Sequence, residues 1–253
     1  MISLYSGTPG SYKSYHAVVE CLDWLRMGRN VITNFKLDYA HKIKKPIKGD
    51  YRFMLDDDIT VEFLVQYAQE HHIKSHHAQT LVVIDEASIK FNPREFGRRD
   101  RMPWIRFFAT HRHLNYEFIL IAQNDRMIDR QIRGLIETEY KHRDVKQFNN
   151  FFFVLSKLFG GVFLSVEYWY PVKLRSGSKF KFFRKRIAEC YDTMASFGEI
   201  GLGGEKVENK EITDSQKQRT EQITLFIALL NARINYLNEN GTSTKRRFFR
   251  RFR

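Results

Sequence analysis

Residues Gly7-Thr8-Pro9-Gly10-Ser11-Tyr12-Lys13-Ser14 have the make-up of a loop that cradles phosphate. Such a loop needs small residues, so that backbone N–H groups can approach phosphate oxygens. It needs a lysine for the β- and γ-phosphates and a Ser or Thr hydroxyl for Mg2+. It must also open a helix, whose first N–H groups lack partners and favour an anion. Residues 2–5 in front read as a buried strand. Residues 14–27 behind read as a helix, with Ala17, Val18, Cys21, Leu22 and Leu25 on one face and Gly28 as its stop. One residue departs from the pattern G-x-x-x-x-G-K-[ST]. Tyr12 stands where glycine should precede the lysine, and a tyrosine is poorly suited to the positive φ that glycine tolerates there. Taken alone, the string also suits a plain Gly-Pro-Gly turn between a strand and a helix.

Residues 80–87, TLVVIDEA, supply the second half of such a site. An unbroken apolar run of strand length ends in Asp85-Glu86, and acids at the C-terminal end of a strand stand where open α/β sheets bind ligands. Asp85 can support Mg2+, usually through its water, and Glu86 can orient and deprotonate an attacking water. The next apolar run, 118–122, ends in Gln123-Asn124. An amide there can meet the γ-phosphate or the attacking water, and equally can begin a turn.

The elements that must position these groups alternate. Strands are expected at 2–5, 31–35, 81–84 and 118–122, with helices at 14–27, 59–70, 104–113 and 126–136. That order predicts an α/β fold with a mainly parallel, helix-covered sheet. From about residue 137 the chain turns strand-rich, with runs at 137–144, 151–156, 161–170 and 180–192. Residues 198–204, GEIGLGG, open a linker expected over 198–213. A helix and basic tail follow over 214–253, so residues 1–197 form the main domain.

At 253 residues, 43% hydrophobic and 28% charged, the chain is neither disordered, collagen-like nor a multi-pass membrane protein. Its net charge of +13 calls for an anionic partner. Residues 245–253, KRRFFRRFR, hold six of the cations, and residues 173–186 hold seven with no acid. Cys21 and Cys190 are far apart and read as free thiols. The N-terminus leaves no room for a signal peptide. The most apolar stretch, 151–170, contains Lys157, Glu167 and the pair Gly160-Gly161. It reads as two strands about a turn rather than as a spanning helix of about 20 residues.

Several strings together resemble the Zot (zonula occludens toxin-like) family, which includes the assembly ATPases of filamentous phages. They are GTPGSYKSY, NVITN, VVIDEA, THRH at 110–113, FILIAQN and IDRQIRGLIE at 128–137, with AECYDT at 188–193 resembling the family's later part. The resemblance implies a P-loop NTPase of RecA/FtsK-HerA-like type, ATP with Mg2+, and a homo-oligomeric ring. It further implies filamentous phage assembly and extrusion of single-stranded DNA at the cytoplasmic membrane, alongside coat or assembly proteins. It makes Lys13 and Ser14 the phosphate and metal contacts, Asp85 and Glu86 the metal-supporting and water-activating acids, and Gln123 the sensor. Tyr12 is a departure that puts efficient hydrolysis in question. The family's transmembrane helix is a second departure, because the apolar centre at 226–230 is too short to span. A non-hydrolysing assembly scaffold and a cytosolic DNA-translocating ATPase are the alternatives.

Residues 94–112 carry six arginines. Ring NTPases use an arginine to reach a neighbour's γ-phosphate, and Arg112 is the first choice for that role, with Arg133 second. Any one of them also suits a solvated basic face or a DNA backbone, as Arg98–Arg101 does. His71-His72 and His76-His77 read as a polar loop rather than a metal site. In the tail, phenylalanines alternate with cations. This pattern suits peripheral attachment to the inner face of the membrane, with single-stranded DNA or a free basic tail as the other readings.

Overall fold

The computed structural model describes residues 1–40, 42, 46–73, 77–95, 97–145 and 161–191. The strand expected at 151–156, the linker, the C-terminal helix, the basic tail and the 197/198 boundary lie outside the described residues.

Among the described residues, eight strands form one sheet in the order β3-β2-β4-β5-β1-β6-β7-β8. β1 (Ile2–Ser6), β2 (Asn30–Thr33), β3 (Tyr51–Phe53), β4 (Thr80–Ile84), β5 (Tyr116–Ile121) and β6 (Thr138–Asp144) run parallel. β7 (Val162–Trp169) and β8 (Leu174–Phe182) continue the sheet antiparallel. The helices are α1 (Lys13–Arg26), α2 (Val61–His71), α3 (Ala87–Lys90), α4 (Arg101–Thr110), α5 (Arg130–Arg133) and α6 (Lys185–Ala188).

Parallel strands covered on both faces need apolar residues on both, so all five residues of β1 and of β4 are buried. Side chains alternate between two cores. Val82 and Ile84 pack with Leu64 of α2 and with Trp104 and Phe108 of α4. Leu81 and Val83 pack with Val18, Cys21, Leu22 and Leu25 of α1. This sandwich places the C-terminal ends of β1, β4 and β5 along one edge.

Several elements differ from expectation. Residues 126–136 form no continuous helix. Asn124 accepts from Arg126 N at 2.9 Å, and Asp129 accepts from Gln131 N at 2.8 Å. These two local caps split the segment into a 3-10 turn, Asp125–Met127, and the short α5. The last strand starts at Leu174 rather than 180. A 3-10 turn at Tyr170–Val172 and a left-handed Lys173 (φ 53°) reverse the chain early, and 183–191 then leaves the sheet to form α6. β3 is a short edge strand with no clear sequence pattern. His72 has both ring nitrogens engaged, with Leu114 O at 2.7 Å and Thr80 Oγ1 at 2.6 Å. Among the described residues no helix is long and apolar enough to cross a membrane.

A buried polar chain ties the antiparallel extension to the parallel sheet. His142 Nδ1 donates to Ser6 O at 3.3 Å, and His16 Nδ1 lies 2.7 Å from His142 Nε2. His16 Nε2 meets Lys181 of β8, which also pairs with Glu20 at 3.4 Å. A carbonyl can only accept, so His142 donates from Nδ1, and with that ring neutral its Nε2 accepts from His16 Nδ1. Burial accordingly pushes His142 down to about 3 and also lowers His16. The unfolded chain binds a proton at His142 below its ordinary 6.5, whereas the folded chain does so only near 3; His16 shifts in the same direction, opposed by the carboxylate of Glu20. Their stabilisation is therefore complete above pH 6.5 and is lost as pH falls below it. Denaturant unfolding should show a loss of up to about 2 kcal/mol from His142 between pH 6.5 and 5. His142→Gln should flatten that dependence; an unchanged slope would place the titration elsewhere.

Candidate functional site

β1 leaves the sheet at Ser6 and enters the loop at Gly7. A Cβ at Gly7 would lie 2.5 Å from His142 O and 2.7 Å from Ser11 Oγ, and its φ is +146°, so glycine is required. Gly7 N donates to Gln123 O at 3.3 Å. The loop is thus seated between the ends of β5 and β6. Lys13 Nζ arches back and donates to Gly7 O at 2.9 Å and Thr8 O at 3.1 Å. Burial lowers the Lys13 ammonium from its ordinary value, opposed by the carboxylates of Glu86 and Asp85. The Ser11 hydroxyl is buried with no hydrogen-bond partner among the described residues. An unpartnered donor of that kind costs about 1–3 kcal/mol, and a phosphate oxygen would satisfy it. Glycine-lined space, a buried ammonium and a free hydroxyl fit a bound phosphate chain.

Tyr12 sits at φ 69°, ψ 23°, in the left-handed region, immediately before α1. The sequence pattern had asked for glycine on this ground. Its ring stacks on Phe163 of β7 (centroids 5.2 Å apart, 14° between planes) and tilts against Phe183 at 5.7 Å. Gly161 makes room, since a Cβ there would lie 2.9 Å from the Tyr12 hydroxyl. Neighbouring Tyr15 accepts from Arg184 N at 2.9 Å. The extension therefore grips the start of α1 at both tyrosines, and an unfavourable backbone conformation is offset by aromatic packing.

Asp85 and Glu86 follow β4 directly. Asn34, at the end of β2, clamps the Asp85 backbone with two bonds: Asp85 N donates to its Oδ1 at 2.7 Å, and its Nδ2 donates to Asp85 O at 2.8 Å. The Asp85 carboxylate takes Glu86 N at 2.9 Å and the hydroxyl of Tyr191 at 2.9 Å. Glu86 is itself left-handed (φ 48°). Burial and the neighbouring Asp85 raise its carboxyl above the usual range, against the pull of Lys13. A raised carboxyl is the direction a general base near neutrality requires. Asn34 and Tyr191 were not singled out by sequence reasoning. The string NVITN held the signal for Asn34, a polar residue ending the strand beside the acidic one.

The structure gathers Lys13, Ser14, Asp85 and Glu86, with Gln123 just past the end of the intervening strand β5. A cavity of about 480 Å³ between Gly7 and Gln123 is lined also by Asp125, Glu139 and Arg143. A second, of about 400 Å³, runs along Ser11–Tyr15 beneath Phe183 and Ile187. Arg112 is elsewhere. It pairs with Glu137 before β6, at the N-terminal edge of the sheet, and β1 separates it from the loop by about 15 Å. It is not part of its own chain's loop. Arg133 donates to Asp125 O at 3.4 Å. Arg98 is paired with Asp100 at 2.7 Å and Arg101 with Asp129 at 2.9 Å, so both cations are partly neutralised within the fold.

A parallel sheet with a glycine loop and Lys-Ser after one strand, and an acidic pair two strands away, defines a P-loop NTPase fold. The family model Zonular occludens toxin (Zot) matches residues 1–156, and the chain belongs to that family. Gene 1 protein of Enterobacteria phage M13 is 23% identical over 133 residues, 52% of this chain and 38% of that protein. Gene 1 protein of Enterobacteria phage I2-2 is 27% identical over 134 residues, 52% of this chain and 37% of that protein. The matched region thus spans less than two fifths of these curated relatives. Among solved structures, the N-terminal domain of zonular occludens toxin from Neisseria meningitidis is 20% identical with TM-score 0.48, covering 76% of this chain and 98% of that one. The genome packaging NTPase B204 from Sulfolobus turreted icosahedral virus 2, in complex with ATP-gammaS, is 12% identical with TM-score 0.44, covering 72% and 98%.

Two substitutions separate backbone strain from ring packing at Tyr12. Tyr12→Ala keeps a side chain in the left-handed turn and deletes the stack, and should destabilise the fold by about 2 kcal/mol or more. Tyr12→Gly deletes the stack but relieves the turn, and should cost roughly 1 kcal/mol less. Equal losses in chemical unfolding would show that the turn stores no strain.

Proposed function

We propose that this chain is an ATPase that uses Mg2+ and drives filamentous phage assembly and DNA extrusion at the cytoplasmic membrane. The observation that carries the reading is the convergence of Lys13 and Ser14 on Asp85 and Glu86 at one edge of the sheet. Membership of the Zot family and likeness to phage gene 1 proteins support the phage setting. Lys13 and the backbone N–H groups of the Gly7–Tyr12 loop other than Pro9, which has none, would hold the phosphates, and Ser14 and Asp85 would hold the metal, which when bound neutralises phosphate charge. Glu86 takes a proton from the attacking water, and Gln123 senses the γ-phosphate. Arg112, at the far edge, would exchange its Glu137 partner to serve a neighbouring subunit in a homo-oligomeric ring.

The rival reading is a non-hydrolysing scaffold. Its support is Lys13, whose ammonium is bonded to the loop's own carbonyls. Turnover decides between them. Glu86→Gln should retain ATP binding while hydrolysis slows about 10²–10⁴-fold, and Lys13→Ala should lose binding. Turnover should also fall on acidification, because Glu86 is a base with a raised pKa. Equal loss of binding and turnover in Glu86→Gln would give that residue a structural role, and no wild-type turnover would favour the scaffold.

Peripheral membrane attachment through residues 214–253 belongs to the same proposal. Its basis is the one-sided apolar pattern of Ile223, Phe226, Ile227, Leu230 and Ile234, followed by KRRFFRRFR. Deleting 245–253 should move the protein from anionic liposomes to the supernatant, as should raised salt. If the intact chain ignores liposomes yet binds single-stranded DNA through the tail, the tail is a nucleic-acid arm.

A further inference from the structure

The two residues that the proposed function assigns to the metal lie on either side of Tyr191. The Tyr191 hydroxyl donates to Asp85 Oδ2 at 2.9 Å, a bridge from the arm to the acidic strand, with Ser14 as its neighbour on the loop side. Its placement is imposed by the arm that carries it. Arg184 N is held by the Tyr15 hydroxyl at 2.9 Å. Cys190 is fully buried against α1, and its carbonyl accepts from Asp38 N at 2.9 Å. Leu37 bridges Tyr191 through the backbone, and the Tyr191 ring stands edge-on to Phe35 at 5.0 Å. The backbone is thus anchored on both sides of the site, and the ring is delivered to the gap between the loop and the acidic strand.

A neutral phenol is a serviceable partner for a carboxylate and a hydroxyl, but a weak substitute for a divalent cation. One Asp85 oxygen is engaged by Glu86 N and the other by Tyr191. The cavity of about 400 Å³ lined by Ser11–Tyr15 and Ile187 adjoins the ring and can receive it when it swings.

We propose that Tyr191 is a gate on metal entry: its hydroxyl occupies Asp85 Oδ2, in the gap beside Ser14, and must rotate away for the divalent cation to be taken up with nucleotide. The inference rests on the P-loop reading of the site. Metal loading then reports to the arm 183–191, because the Tyr191 ring is the arm's contact with both halves of the site. A bound nucleotide without metal leaves the bridge in place.

The test is a Mg2+ titration of a fluorescent ATP analogue, followed by anisotropy, on the full chain and on Tyr191→Phe. Phenylalanine keeps the ring's packing and deletes the bridge. Binding in EDTA should be the same for both proteins. The Mg2+ concentration for half-maximal enhancement should fall about tenfold in the variant, as expected for loss of one charge-assisted hydrogen bond that competes with the metal. An unchanged or higher Mg2+ requirement overturns the gate and makes Tyr191 a spectator or a supporting donor. A second readout guards against a misfolded variant. In wild-type protein carrying fluorotyrosine, the resonance of Tyr191 should shift when Mg2+ is added to the nucleotide-bound form, and not when nucleotide is added alone. A resonance indifferent to Mg2+ also overturns the proposal. Absence of any analogue binding by the wild type, with or without Mg2+, instead overturns the P-loop reading, and the gate falls with it.

Discussion

The left-handed turn at Tyr12 is the constraint on which the rest of the site depends. The chain must pass from the end of β1 into α1 with Lys13 and Ser14 facing the loop, and that passage needs φ near +69° at Tyr12. A non-glycine residue in this region costs about 1–2 kcal/mol. The chain offsets it with a ring stacked on Phe163, tilted on Phe183 and given space by Gly161. Those three residues belong to the antiparallel extension. The extension is therefore part of the loop's support, and not merely an appendage to a nucleotide-binding sheet.

The same logic extends along α1. Tyr15 receives Arg184 N, and His16 joins His142, Ser6 and Lys181 in a buried chain of hydrogen bonds. His142 holds the loop from a second direction through its carbonyl, which leaves no room for a side chain at Gly7. Loop, first helix, β6 and the β7-β8 pair form one packed unit, so a change in any of them is felt at Lys13. Buried polar groups without water have to be satisfied by one another, which makes such a network specific in geometry.

At the acidic edge the polar groups also satisfy each other. Asn34 fixes the Asp85 backbone, Tyr191 donates to the Asp85 carboxylate, and Lys13 sits on loop carbonyls. A ligand entering here must exchange these partners for its own oxygens. The exception is Ser11, whose hydroxyl is buried without a partner among the described residues. Opposed charges at Lys13, Asp85 and Glu86 keep the unliganded site tolerable while leaving Glu86 with a raised carboxyl.

The sequence by itself determined the parallel α/β sheet, the strand-loop-helix at residues 2–26 and the acidic end of β4. Each is a local pattern: apolar runs of strand length, helical spacing in α1, small residues before Lys13-Ser14. It also flagged Tyr12 through its mismatch with the loop's usual glycine. Only the tertiary structure decided what relieves that mismatch, because Phe163 and Phe183 lie 151 and 171 residues further along and no local pattern joins them to Tyr12. For the same reason His142 and Tyr191 were not legible as site residues, whereas the signal for Asn34 lay unused in the string NVITN. Their roles come from strand order and from where a returning arm is anchored. The helix expected over 126–136 failed on short-range grounds, since two side-chain caps outcompeted the apolar spacing. Arg112 was chosen from its string of neighbours, and the fold sets it at the opposite edge of the sheet, where side-chain type cannot say whose site it faces.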